Sequence, residues 1–301
     1  MRSSSDTCSR KRQTDSSKTE NTECDCGNSR ENVLYILGIG PGSIDHMSRR
    51  AIDVIDEVHT VAGYTTYIDL ILPLLDGKEL IATGMTREKD RVQKAVETVL
   101  SGRSCALISS GDPGIYAMAG LVFEMCEQKN ISIIPADSAR AKENVVKGEG
   151  GSNDELLKIE IVPGIPALCA GASLLGSPIS HDFATISLSD LLTPWEVIEK
   201  RIEAAAEADF VIVFYNPKSK KRNWQLEKAA NIILKHRSGK TPTGIVTSAM
   251  RESEDVTVTS LSELSKADVN MQSIVFVGNS ASAVYRDFMV TPRGYAKKYE
   301  L

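Results

Sequence analysis

The chain has 301 residues, 42% apolar and 25% charged, a composition that suits a soluble globular protein of about two domains. Its formal charge of -5 supplies none of the Lys and Arg excess that drives nucleic-acid binding through counterion release. No apolar run approaches the roughly 18 residues of a membrane helix, and the Ser-rich, charged start lacks the hydrophobic stretch of a secretory signal. A cytoplasmic protein with neither a nucleic-acid nor a membrane partner is therefore expected.

Residues 1–30 mix Ser, Thr, Asn and charges with almost no large apolar side chains, so no burial offsets the entropy of ordering them, and a disordered leader is expected. Cys8, Cys24 and Cys26 lie there with C-x-C spacing and no second pair, short of the roughly four ligands a metal site uses. They read as reduced thiols, and no metal is expected.

From Val33 onward, short apolar runs alternate with amphipathic segments, the sequence form of an α/β protein with crossover helices. Strands are predicted at residues 33–39, 104–109, 159–162, 184–188, 210–215, 244–247 and 274–277. Most are too uniformly apolar for a one-sided antiparallel sheet, which favours parallel pairing. Met47, Ala51, Val54, Ile55 and Val58 recur on one helical face, as do Val92, Ala95, Val96 and Val99, and Trp224, Ala229, Ile232 and Ile233 mark a later helix. Cys105, Cys126 and Cys169 sit inside apolar patterns and read as core. Residues 136–157, charged and carrying GEGGSND, read as an exposed insertion. The expected organisation is a leader (1–30), an N-terminal α/β domain (31–178, with the insertion) and a C-terminal α/β domain (179–301).

Three strand ends carry turn chemistry. LGIGPGS (37–43) lets the backbone turn tightly and approach a ligand, but the dinucleotide fingerprint needs Gly at its sixth place, where Ser43 stands. A nicotinamide oxidoreductase is the alternative this weighs against. SSGDPGIYAMAG (109–120) puts Asp112 at the carboxyl end of a strand, where it can accept from ribose hydroxyls or an ammonium; the competing reading is a helix cap followed by Pro113. IVPGIPALCAGASLLG (161–176) repeats the Gly–Pro turn before a helix of small residues. Three such ends suggest one shared cleft. There is no phosphate-loop lysine motif, no zinc-ligand cluster in the folded part and no nucleophile-elbow serine. His46 and His181 flank candidate loops, where a capping or orienting role competes with a chemical one.

These motifs resemble the tetrapyrrole methylase family across about residues 33–295. The resemblance implies the two-domain α/β class III methyltransferase fold, with S-adenosylmethionine bound in a cleft between the domains. HDFATISLSDLLTPWEVIEKRIEAAAEADFVIVFYNPKSKKR (181–222), VGNS (277–280) and MVTPRGY (289–295) are similar to the family branch that methylates C17 of precorrin-3B or cobalt-factor III. That branch implies ring contraction in cobalamin biosynthesis, and the family implies a homodimer. Carried over by motif position, the cofactor contacts would be Pro41, Gly111, Asp112, Ile115, Pro166, Ala167, Asn216 and Ala249. Substrate carboxylates invite Arg or Lys, and Arg87, Arg91, Lys218 and Arg293 are candidates against a merely solvated role. Trp195 and Trp224 read as helix packing. No catalytic residue is assigned. Uroporphyrinogen, a diphthamide precursor or ribosomal RNA are alternative substrates within the same fold; the acidic balance weighs against RNA, and the 181–222 match weighs against all three.

Overall fold

The computed structural model describes residues 32–137, 156–219 and 222–299. The expected leader, with Cys8, Cys24 and Cys26, and most of the expected insertion lie outside the described residues. Six strands form the first sheet: β1 (Val33–Gly38), β2 (Thr60–Tyr64), β3 (Glu79–Thr83), β4 (Cys105–Ser109), β5 (Ser132–Pro135) and β6 (Leu156–Val162). Their spatial order is β3-β2-β4-β1-β6-β5, and every pairing is parallel.

Both faces of this sheet are covered, which is why its central strands are apolar throughout. Leu34, Ile36, Cys105 and Leu107 pack on one side with helices Glu88–Leu100 and Met118–Gln128. Leu37, Ala106 and Ile108 pack on the other with helix Arg49–Glu57. After β1 the chain crosses one face toward β2; after the neighbouring β4 it crosses the other face toward β5. Adjacent strands whose connections leave in opposite directions open a crevice at their carboxyl ends, the usual ligand position in such sheets.

The second sheet contains β8 (Phe183–Ser187), β9 (Val211–Tyr215), β10 (Pro242–Thr247), β11 (Asp255–Ser260) and β12 (Ser273–Val277), in the order β11-β10-β12-β9-β8; β7 (Gly176–Ser177) joins a small separate sheet with β13 (Ala283–Tyr285) and β14 (Phe288–Val290). Here the expectation of parallel pairing is corrected. Only β8 and β9 run parallel, while β9–β12, β12–β10 and β10–β11 are antiparallel. The apolar runs misled because this sheet too is buried on both faces. Ile212, Phe214, Ile245, Val275 and Val277 face helices Trp195–Glu207 and Gln225–Ile233, and Val213, Val246, Ile274 and Phe276 face helix Ala167–Leu175. Two-sided burial, not strand direction, removes the polar alternation.

Cys105 and Cys126 are buried as expected, but Cys169 is exposed. It occupies the outward side of helix Ala167–Leu175, whose inward side is Leu168, Ala172 and Leu175. The strand β2 was hidden because Val58 continues the apolar face of helix Arg49–Glu57 while adopting extended backbone as its C-cap. Among the described residues, no helix is long and apolar enough to cross a membrane.

Close contact of three glycines holds the carboxyl edge of the first sheet together. A Cβ on Gly38 would lie 2.6 Å from the Gly111 carbonyl oxygen and 2.7 Å from the Gly164 nitrogen, and one on Gly164 would lie 2.2 Å from the same oxygen. The obstacles are backbone atoms, which cannot step aside. Gly164→Ala should lower unfolding free energy by about 1–3 kcal/mol, the usual overpacking loss. Gly120→Ala, on a helix position where nothing lies within 4 Å of the new Cβ, should instead be neutral or stabilising by up to about 1 kcal/mol. Urea denaturation of the two variants checks this contrast, and equal midpoints would remove the steric argument.

Candidate active site

The cleft begins where the backbone continues past β1, β4 and β6. Ile39 N–H donates to Ser109 O at 2.9 Å, and Gly40 and Gly111 then exchange two hydrogen bonds at 3.2 and 2.7 Å. The first glycine turn therefore folds onto the second strand end instead of running straight into a helix, and helix Arg49–Glu57 starts only after an intervening turn at Ile44–His46. A dinucleotide cradle, with glycines opening directly onto a helix N-terminus, is not built here. Asp112 joins the second loop to the third: one carboxylate oxygen accepts from Gly114 N–H at 2.8 Å and the other from Gly164 N–H at 3.2 Å. The alternative reading of Asp112 as a helix cap does not hold, because the next helix begins at Met118 with Ala117 as its N-cap.

The second sheet closes the opposite wall. Tyr215 ends β9 and Asn216 follows it, and residues 248–251 follow β10; because β12 is antiparallel to β10, its amino-terminal residues Ser273 and Ile274 arrive at the same edge. Asn216 donates from Nδ2 to Ser187 Oγ at 3.0 Å, fixing it to the end of β8. Asn216, Ser248, Met250 and Tyr116 all adopt positive φ, between 51° and 59°. Left-handed backbone costs an ordinary residue of the order of 1 kcal/mol or more and concentrates at functional sites.

The result is a cavity of about 570 Å³, inside the size range of small-molecule sites. All eight residues expected to contact the cofactor line it: Pro41, Gly111, Asp112, Ile115, Pro166, Ala167, Asn216 and Ala249. The four candidate substrate cations do not converge on it. Arg91 lines the cavity but is buried and engaged, donating to Thr83 Oγ1 at 2.7 Å, Gly84 O at 3.2 Å and Met118 Sδ at 3.7 Å. Burial also lowers its pKa. Arg87 is exposed and paired with Asp90, and Lys218 is half-buried outside the lining. Arg293 lines a separate cavity with His181, Asp209 and Asn279, at the edge where β8 and β9 begin. His46 sits in the turn behind the first loop, outside the lining. Trp195 and Trp224 pack on each other at 4.8 Å, also outside the lining.

Sequence reasoning missed Tyr116, Tyr215 and Arg251. Tyr116 reaches from the loop after β4 to donate to Thr185 O on β8 at 3.1 Å, and its ring lies 5.1 Å from that of Tyr215. Tyr215 Oη accepts from Leu168 N–H at 2.9 Å, satisfying a first-turn donor of helix Ala167–Leu175. Arg251 donates to Pro41 O and Ser110 Oγ. Tyr215 at a strand end could have been flagged from position alone; Arg251 follows a strand end too, but its reach across the cleft has no local signal.

The chain is similar to known proteins of one family. The family model described as Tetrapyrrole (Corrin/Porphyrin) Methylases matches residues 33–141 and 152–265. The chain belongs to that family. It is 47% identical over 268 residues to a protein of Priestia megaterium named cobalt-factor III methyltransferase, a match covering 89% of this chain and 46% of that one. The chain thus spans about half the length of that relative. It is 43% identical over 263 residues to a probable cobalt-factor III C(17)-methyltransferase of Salmonella typhimurium, covering 87% of this chain and 99% of that protein. Among solved structures, that of the methyltransferase CobJ superposes with a TM-score of 0.73 at 31% identity, covering 86% of this chain and 99% of that chain. The fold is accordingly the two-domain tetrapyrrole methylase fold.

Burial pushes the Tyr215 phenol up from 10.0 to about 12, opposed by the hydrogen bond from Leu168 N–H. Since the folded pKa lies above the unfolded one, its contribution to stability is complete below about pH 10 and is lost as pH rises toward 12. Tyr215→Phe should cost about 1 kcal/mol at neutral pH by orphaning that N–H. The stability difference between wild type and variant should stay level from pH 7 to 9 and shrink above pH 10, as read by urea unfolding at each pH. A difference that grows with pH would contradict the assignment.

Proposed function

We propose that the protein transfers a methyl group from S-adenosylmethionine to C17 of cobalt-factor III, with contraction of the macrocycle, in cobalamin biosynthesis. The observation that carries this reading is the convergence of all eight family-motif positions on one cavity of about 570 Å³. The names of the similar proteins support the substrate. Metal-free precorrin-3B, the other form suggested by the sequence resemblance, is the second reading.

The residues present fit the donor. Gly111 lines the cavity with backbone and no side chain, Asp112 offers carboxylate lone pairs beyond its two backbone bonds, and Ile115, Pro166, Ala167 and Ala249 supply apolar surface. When bound, S-adenosylmethionine supplies an electrophilic methyl group on a positively charged sulfur. Asp112 would hold an ammonium or ribose hydroxyl of the donor, and the loops around it would fix its direction. In-line displacement needs no enzyme nucleophile, and orientation alone can supply about 7–11 kcal/mol of barrier reduction. The protein would act as a homodimer in the cytoplasm.

Incubation with methyl-labelled S-adenosylmethionine and either macrocycle tests the reaction. Label is expected in cobalt-factor III, and label in neither macrocycle would reject the reading. Asp112→Ala should weaken donor binding by about tenfold or more, the loss of charge-assisted hydrogen bonds. Isothermal titration of a variant shown to be folded by circular dichroism reads this, and an unchanged affinity would remove Asp112 from the donor site.

A further inference from the structure

Arg251 is a cation of the cavity whose charge has no partner among the described residues. Its Nε donates to Pro41 O at 2.8 Å and its Nη2 to Ser110 Oγ at 3.0 Å, both neutral acceptors on the first lobe's strand-end loops. No carboxylate among the described residues lies within ion-pair distance, and Nη1 makes no hydrogen bond with them. Arg91, the other guanidinium in the lining, has a partner at each of its three nitrogens. The side chain of Arg251 is also held along its length: a Cβ on Gly42 would lie 2.4 Å from its Cγ and 2.6 Å from its Nε. Burial lowers its pKa, as expected of a desolvated cation without a counter-charge.

A guanidinium fixed by neutral bonds through Nε and one side of Nη2 keeps N–H groups free for an incoming anion, and a planar carboxylate matches that fork. We infer that Arg251 is a carboxylate-binding residue of this cavity, anchored by Pro41 and Ser110 and presenting its free N–H groups to an anionic group of the ligand. The inference rests on the methyltransferase reading above, which offers two sources of that chemistry: the amino-acid carboxylate of the donor and a peripheral carboxylate of the macrocycle.

Wild type, Arg251→Gln and Arg251→Lys are titrated with S-adenosylhomocysteine and with its decarboxylated analogue, and KM for cobalt-factor III is measured at saturating donor. If the donor's carboxylate is the partner, Arg251→Gln weakens S-adenosylhomocysteine by about 10- to 100-fold and leaves the decarboxylated analogue unchanged. If the macrocycle's carboxylate is the partner, donor affinities hold while the macrocycle KM rises by a similar factor at constant kcat, and Arg251→Lys recovers part of the loss. Equal weakening of both donor analogues with an unchanged macrocycle KM would overturn the inference and leave Arg251 as a structural bridge; no change in any of the three would overturn it as well. Failure of wild type to methylate the macrocycle would sink the functional reading separately, because the analogue comparison needs no turnover.

Discussion

Everything at the cleft depends on three strand ends being close enough for backbone to touch backbone. The carbonyl of Gly111 occupies the space where a Cβ on Gly38 or Gly164 would stand. Glycine at these positions serves contact as much as flexibility. With no side chains between them, the loops after β1, β4 and β6 lock through the paired hydrogen bonds of Gly40 and Gly111 and through Asp112, which accepts from Gly114 and Gly164. Asp112 is thereby both a structural tie and an available hydrogen-bond acceptor, because each carboxylate oxygen has lone pairs beyond one backbone bond.

The two sheets reach this cleft by different routes. In the parallel sheet every carboxyl end lies on one edge, so turn motifs that follow strands are read directly as lining. In the second sheet direction alternates, so the cavity receives the ends of β9 and β10 but the beginning of β12. That difference limits what a sequence can disclose. Asp112 was legible from its place at a strand end, and Pro41, Pro166 and Asn216, which also follow strands and line the cavity, from the family motifs; Gln272, Ser273 and Ile274 precede or begin a strand, and without the antiparallel pairing nothing marks them.

The cations show the same limit from another side. Apolar periodicity located helices Arg49–Glu57, Glu88–Leu100 and Gln225–Ile233 because burial is shared by many residues along an element. A guanidinium's role is decided by a few partners far away in sequence. Arg91 is engaged by Thr83, Gly84 and Met118, Arg87 pairs with its helix neighbour Asp90, and Arg293 belongs to the opposite edge of the second sheet, while Arg251 reaches 210 positions back to Pro41. Cys169 failed for a smaller reason of the same kind: in a helix made almost entirely of small and apolar residues, composition does not tell the inward face from the outward one.

Left-handed backbone at Tyr116, Asn216, Ser248 and Met250 adds a final constraint. Four such residues around one cavity cost free energy that the surrounding packing must offset, and the tyrosines indicate where the offset comes from. Tyr116 is tied to β8, and Tyr215 caps the helix that carries Ala167. Each connects a strained loop to a regular element of the second lobe. This is a physically coherent use of stability: loops held by contacts at both ends are over-determined in position, so little reorganisation is left to occur when a ligand binds.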